Sequence, residues 1–305
     1  MSSAEKPPAS NLLPNLSRRG AITRAGLGAA AIGAIAAGIG TMSKADAYTG
    51  EKSDLEILNF ALNLEYLEAE YYSFCVTGEG LPKDDATGLG KLGKATGAQK
   101  VDFKTPRIKQ LAEEIANDEY NHVVFLRSQL GDYAVAQPRI NLRESFLTLG
   151  QVAGLSFPFN PYQDEASFLL GAYVFEDVGV TAYNGAAPLL TSKTFLAYAS
   201  SILGVEAYHA GAIRTLLLEY ELQVPADKIA ATRAAVSGTG PGTPYPADDQ
   251  GPTTANGMVN ITPTDSNSLA FARTTSQVLS VVYLGGTTSG GFFPAGVNGP
   301  INSVT

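Results

Sequence analysis

Thiol and imidazole chemistry are nearly absent from this 305-residue chain, which holds one cysteine, two histidines and no tryptophan. Cys75 alone forms no intrachain disulfide and builds no cysteine-based zinc or iron–sulfur site. Any step that needs an imidazole falls to His122 or His209. Basic charge is scarce too. With 21 Lys and Arg against 29 Asp and Glu, the net charge is −8. No basic stripe can neutralise a phosphate backbone, which argues against nucleic acid as a partner. At 45% hydrophobic and 16% charged residues, the chain suits one globular core or two and not a fibre.

The one long uncharged apolar run lies near the N-terminus. Arg18-Arg19 precedes Ala25 to Met42, made mostly of Ala, Gly and Ile, and Ala45-Asp46-Ala47 follows. That order of basic pair, apolar stretch and small-x-small site predicts an export signal over residues 1–47 of the twin-arginine type, cleaved after Ala47. An uncleaved membrane anchor is the competing reading of an 18-residue run, but its Ala/Gly content makes it only weakly hydrophobic. Cleavage would leave no stable membrane insertion and an acidic periplasmic or extracellular protein. The first 47 residues contribute +3, so the other 258 carry −11.

Beyond the signal, apolar residues recur at three- and four-residue spacing over Asp54–Val76, Thr105–Leu130, about Gln163–Asn184 and Ser192–Glu221, the mark of helices that bury one face. Boundary residues agree: Thr105-Pro106 opens the second helix, Gly131 closes it, and Gly185 with Pro188 closes the third. About thirty proline-containing residues join helices two and three, enough to run the length of a bundle. The sequence therefore predicts an all-α four-helix bundle over 48–236 with a long crossover between helices 2 and 3. A Gly/Pro-rich C-terminal extension follows over 237–305, with one short helix near Arg273–Tyr283 and too few apolar residues to bury a core of its own. The segment Ala226–Val236 reads as a further short helix, and Thr77–Lys104 as a loop.

Both histidines follow a glutamate by three positions, in Glu119-Tyr-Asn-His122 and Glu206-Ala-Tyr-His209. On a helix this spacing points both side chains the same way. Each pair interrupts an apolar stripe, Ile108, Ala112, Ile115, Leu126 in one helix and Phe195, Ala199, Ile202, Ile213, Leu216 in the other. The same register in helices one and three brings in Glu65 and Glu176. All four glutamates sit near mid-helix, so the bundle can bring them together. Four carboxylates meeting in an apolar core would each cost several kcal/mol if left charged and unpaired, and no Lys or Arg shares these stripes. Two divalent metal ions held by Glu65, Glu119, His122, Glu176, Glu206 and His209 balance the charge. The mixed oxygen and nitrogen ligands suit iron or manganese. Glu68 is the alternative to Glu65 in helix one. Tyr72, and with it Tyr183, lies in the ligand stripes; Tyr72 is the candidate catalytic side chain, as a hydrogen-bond or electron donor. Asp118 could accept the second ring N–H of a ligating histidine.

The order Glu, Glu-x-x-His, Glu, Glu-x-x-His resembles the ferritin-like superfamily. More narrowly, Asn59-Phe-Ala-Leu-Asn-Leu-Glu-Tyr-Leu-Glu-Ala-Glu-Tyr-Tyr72, Phe175-Glu-Asp-Val-Gly-Val-Thr-Ala-Tyr183, Val205-Glu-Ala-Tyr-His-Ala-Gly-Ala-Ile-Arg214 and Gly290-Gly-Phe-Phe-Pro294 are similar to ferritin-like domain proteins of the desiccation-related family. The resemblance implies a ferritin-like bundle with a dimetal site at the six residues named above, in a group associated with desiccation and oxidative stress.

Several functions fit. A dimetal oxidase, peroxidase or ferroxidase would act on O2 or H2O2. A manganese-catalase-like enzyme would disproportionate peroxide without an external reductant. A stress-protective or structural protein would use the metals only to staple its helices. Iron storage in a closed cage fits less well with the long loops and tail, while a smaller homo-oligomer stays open.

Overall fold

The computed structural model describes residues 53–238 and 249–305. The export signal expected over 1–47 lies outside the described residues. Four long helices and three short ones form the body: α1 (Asp54–Thr77), α2 (Pro106–Leu130), α3 (Glu144–Val152), α4 (Glu165–Ala186), α5 (Lys193–Glu219), α6 (Gln223–Val236) and α7 (Thr275–Val282). Among the described residues no helix is long and apolar enough to cross a membrane.

Local chemistry sets the helix starts. Ser53 accepts from the Glu56 amide while Glu56 reaches back to the Ser53 amide, a reciprocal cap on α1, and such caps contribute about 1 kcal/mol. Asp164 caps α4 and Ser192 caps α5 in the same way, each accepting from the amide three residues on. Gly78 ends α1 in the left-handed region at φ 84°, where a side chain would be strained.

Contacts between helix ends give the directions. Asn59 near the start of α1 bonds to Tyr133 just past α2, and Val101 ahead of α2 bonds to Cys75 at the end of α1, so these two helices run antiparallel. Glu165 at the start of α4 accepts from the amides of Lys104 and Thr105 at the start of α2, so α2 and α4 run parallel. The Tyr220 hydroxyl, at the end of α5, meets the same Glu165, so α5 runs against both. A parallel α2–α4 pair requires the connection to travel a full helix length, which is the long crossover.

The crossover is more ordered than its prolines suggest. It contains α3, which sequence periodicity missed because a nine-residue helix shows too few turns and Gly150 interrupts it. That glycine is a packing device, since a Cβ there would lie 2.6 Å from Phe159 Cβ. The α1–α2 loop is likewise not wholly irregular: β1 (Ala95–Thr96) pairs in parallel with β2 (Ile140–Asn141) of the crossover.

The extension packs onto the bundle. Val278, Leu279, Val281, Val282, Phe292 and Phe293 are buried in the same apolar core as the four long helices. Asn63 on α1 and Asn298 exchange two hydrogen bonds, at 2.8 and 3.0 Å. Gly185 was expected to close the third helix, but α4 continues through it to Ala186. Its role is close approach: a Cβ would stand 1.9 Å from the Arg273 carbonyl oxygen of the extension.

Candidate metal centre

The six side chains named from the sequence come together at mid-bundle. Glu65, Glu119 and Glu206 are fully buried, Glu176 is 1% exposed, and His209 and His122 are 6% and 9% exposed. One oxygen or nitrogen from each of Glu65, Glu119, His122 and Glu206 lies within 4.8 Å of the others, and a second such group joins Glu119, Glu176 and His209. Glu119 belongs to both: its Oε2 is 3.4 Å from His122 Nδ1 and its Oε1 is 3.0 Å from His209 Nδ1. This is the placement a bridging carboxylate needs. Of the two candidates on α1, Glu65 contributes to these groups, with Oε2 3.2 Å from His122 Nδ1. Glu68 belongs to neither.

The donor atoms face one another and not other groups of the protein. Glu119 Oε1, Glu176 Oε2, both oxygens of Glu206 and His209 Nδ1 are buried and form no hydrogen bond among the described residues. Buried polar atoms are almost always satisfied, so five orphans around one point mark a place for a group the protein does not itself supply. Among the described residues no Lys or Arg pairs with any of the four glutamates. The donor set of four carboxylates and two imidazole Nδ1 atoms fits a pair of hard or borderline divalent cations.

Surrounding contacts hold the ligating atoms in place. Tyr72 donates to Glu176 Oε1 and Tyr183 to Glu65 Oε1, leaving the other oxygen of each carboxylate turned to the cluster. His209 Nε2 is 3.3 Å from Asp118 Oδ2, which fixes its ring and leaves Nδ1 free. This support crosses from α2 to α5, to the histidine that is not its helical neighbour. Gly179 is required too. A Cβ there would stand 2.1 Å from Glu206 Oε2.

Without a cation the cluster must hold protons. Burial pushes the Glu65 carboxyl up to about 7, with His122 pulling against it. Burial, then repulsion from Glu68 and Glu119, raises Glu206 well above the carboxylate range, and burial raises Glu176. Glu119 is held below that range in spite of its burial by His122 and His209. Burial disfavours the charged form of His122, but Glu65 and Glu119 outweigh it and push the ring up to about 12. Such mutual distortion is characteristic of functional sites.

The sequence pattern of the ferritin-like domain matches residues 53–219, which spans α1 through α5 and every residue of the cluster. The chain belongs to the ferritin-like domain family. Among characterised proteins, this ferritin-like chain is 30% identical over 273 residues to the ferritin-like catalase Nec2 of Nesocodon mauritianus, covering 82% of the chain and 85% of that protein. It is 35% identical over 173 residues to the desiccation-related protein PCC13-62 of Craterostigma plantagineum, covering 55% of the chain and about half, 54%, of that protein's length.

Sequence reasoning missed a second buried polar cluster beside the first. Asp177 accepts two hydrogen bonds from Arg214, both 2.8 Å, and one from Arg233 at 2.7 Å. Arg233 and Arg273 also pair with Asp249 of the extension, at 2.7 and 2.8 Å. The signal was there, as an aspartate and an arginine within apolar helical stretches, at Asp177 and Arg214.

Proposed function

We propose that this ferritin-like protein holds two divalent metal ions, iron or manganese, and removes hydrogen peroxide. Five orphaned buried donor atoms on one set of facing helices carry the reading. The catalase named among its relatives, aligned over most of both chains, favours disproportionation, 2 H2O2 → 2 H2O + O2, over a reaction that needs an external reductant. The chemistry a metal pair supplies when bound is a redox couple that alternately accepts and returns two electrons. The protein's own residues do the rest. Glu65, His122, Glu206 and Glu119 would hold one ion, and Glu176, His209 and Glu119 the other. Tyr72 and Tyr183 keep the outer carboxylates oriented, and the cluster's burial excludes bulk water. Export through the signal over 1–47 would place this activity outside the cytoplasm, where stress-derived peroxide is met first.

Metal analysis of protein matured in its own host, followed by oxygen-evolution assays with peroxide, tests the proposal. About two metals per chain and oxygen release at half the rate of peroxide loss support it; peroxide loss without oxygen release points to a peroxidase. A second reading, a metal site that only staples the bundle, draws on the full burial of the glutamates. Metal-replete protein that leaves peroxide untouched but loses stability in Glu119→Ala would establish the staple instead.

A further inference from the structure

Glu68 is a buried carboxylate without an assigned task. It lies one turn beyond Glu65 on α1 and is 5% exposed, and its burial, followed by repulsion from Glu119 and Glu65, pushes its carboxyl well above the usual carboxylate range. Its side chain is the sole polar one lining a small cavity, about 20 Å³, enclosed by α1, α4, α7 and the C-terminal segment. That is room for one water-sized molecule. The other walls are apolar, with Leu64 from α1, Val178 from α4, Val282 from α7 and Phe292 from the extension.

The cavity adjoins the metal centre. Gly179 forms part of its wall, and a Cβ on that glycine would stand 2.1 Å from Glu206 Oε2. The Gly179 backbone of α4 therefore lies between the cavity and a cluster carboxylate.

We propose that this cavity is the last station of hydrogen peroxide before the metal centre, with Glu68 as the residue that binds and orients it. The proposal rests on the peroxide-removing reading above. Apolar walls disfavour ions, which would lose hydration without compensation. A carboxyl group in an otherwise apolar wall selects for a molecule that hydrogen-bonds, which peroxide does at both ends and which dioxygen, with no O–H, does not do as a donor. The small volume excludes organic hydroperoxides. The extension acquires a role as well, since Val281, Val282 and Phe292 complete the enclosure.

Three variants of the metal-replete full-length protein test this. Glu68→Leu roughly keeps the volume and removes both hydrogen-bonding oxygens. It should raise KM for peroxide about tenfold or more while kcat changes little, with metal content and melting temperature no lower. A purely structural role would not separate KM from kcat. Val282→Phe fills the cavity and should abolish the xenon bound there in pressurised crystals of the wild type; should it fail to fold, Val282→Leu makes the same test with a smaller step. Phe292→Ala should confer consumption of tert-butyl hydroperoxide that the wild type lacks. Should the wild type consume peroxide while Glu68→Leu keeps its KM and no xenon binds, the cavity is not the route, and the peroxide function stands. Should the metal-replete wild type consume no peroxide, that function fails and this proposal with it.

Discussion

Removing the proposed metal ions is the perturbation whose consequence the structure specifies most fully. Two ions held at free concentrations about a thousandfold above their dissociation constants would contribute roughly 4 kcal/mol each. Chelation then lowers stability by about 8 kcal/mol, a fall in melting temperature on the order of 20 °C for a chain of this size. The loss must depend on pH, with a definite sign. In the metal-free protein Glu65 moves from 4.5 to about 7, so the folded state binds more protons than the unfolded state across that interval. Stability is then fully present below pH 4.5 and is lost as pH rises through 7, by about 3 kcal/mol for this group. Glu206 and Glu176, also raised, act in the same direction. So does His122, raised to about 12, whose contribution declines above pH 6.5. Glu119, held low, opposes them only below pH 4.5. The cluster titrates as a unit, and these parts do not simply add. Metal-free protein should therefore be most stable near pH 5 and lose stability steadily toward pH 8, while the metal-bound form gains affinity over the same range as its ligands deprotonate. Differential scanning calorimetry before and after verified chelation at pH 5, 6.5 and 8 measures both curves. A gap that is constant or narrows as pH rises would refute the picture of facing carboxylates.

Gly179→Ala places a methyl group 2.1 Å from Glu206 Oε2; metal content measured by mass spectrometry should fall toward one ion per chain or fewer. Tyr72→Phe keeps the packing and removes only the hydroxyl that Glu176 accepts from, so peroxide turnover should fall about tenfold with metal content retained; unchanged turnover would reduce Tyr72 to a packing residue. Arg214→Met leaves Asp177 buried beside Arg233 alone and should cost about 3–5 kcal/mol in denaturant unfolding. N-terminal sequencing of protein recovered from its natural compartment should begin at Tyr48, and an intact Met1 there would overturn the export reading.

The long helices and the candidate site were legible because both follow periodicity. An i, i+3 pair or a stripe of apolar residues is a local pattern, and Glu119, His122, Glu206 and His209 declare their shared direction before any fold is known. The choice of Glu65 over Glu68 was not legible, because both occupy apolar stripes one turn apart on a helix that is buried nearly all round. Only the rotation of α1 against α2 decides it, and that rotation is a tertiary fact. The helix α3, the two-residue strand pair and the folding of the extension onto the bundle escaped for a related reason. Each is short and held by distant partners such as Phe159 and Asn63, so neighbouring residues carry little of the signal.

The two buried polar clusters explain one another. Glu176 and Asp177 are consecutive residues on α4, and both are buried carboxylates. Asp177 meets two arginines, and Asp249 another pair that shares one of them. Here the chain compensates buried negative charge with its own guanidinium groups, whose attraction and hydrogen bonds offset much of the desolvation cost. One residue away, Glu176 turns to the opposite side and joins three further glutamates that no arginine or lysine reaches among the described residues. A fold able to bring arginines from α5, α6 and the extension to one carboxylate face of α4 is not short of means to bring one to the other. With no Lys or Arg beside the four glutamates among the described residues, while Tyr72, Tyr183 and Asp118 orient them and their histidines, the cluster either takes up protons or, on the reading proposed above, receives positive charge from metal ions. The arginine cluster secures the extension to α4, and the extension in turn supplies Val282 and Phe292 to the cavity beside Glu68. The same helix thus anchors the outer segment on one face and presents Glu176 to the carboxylate cluster on the other. Loosening the anchor should therefore open the cavity before it disturbs the cluster.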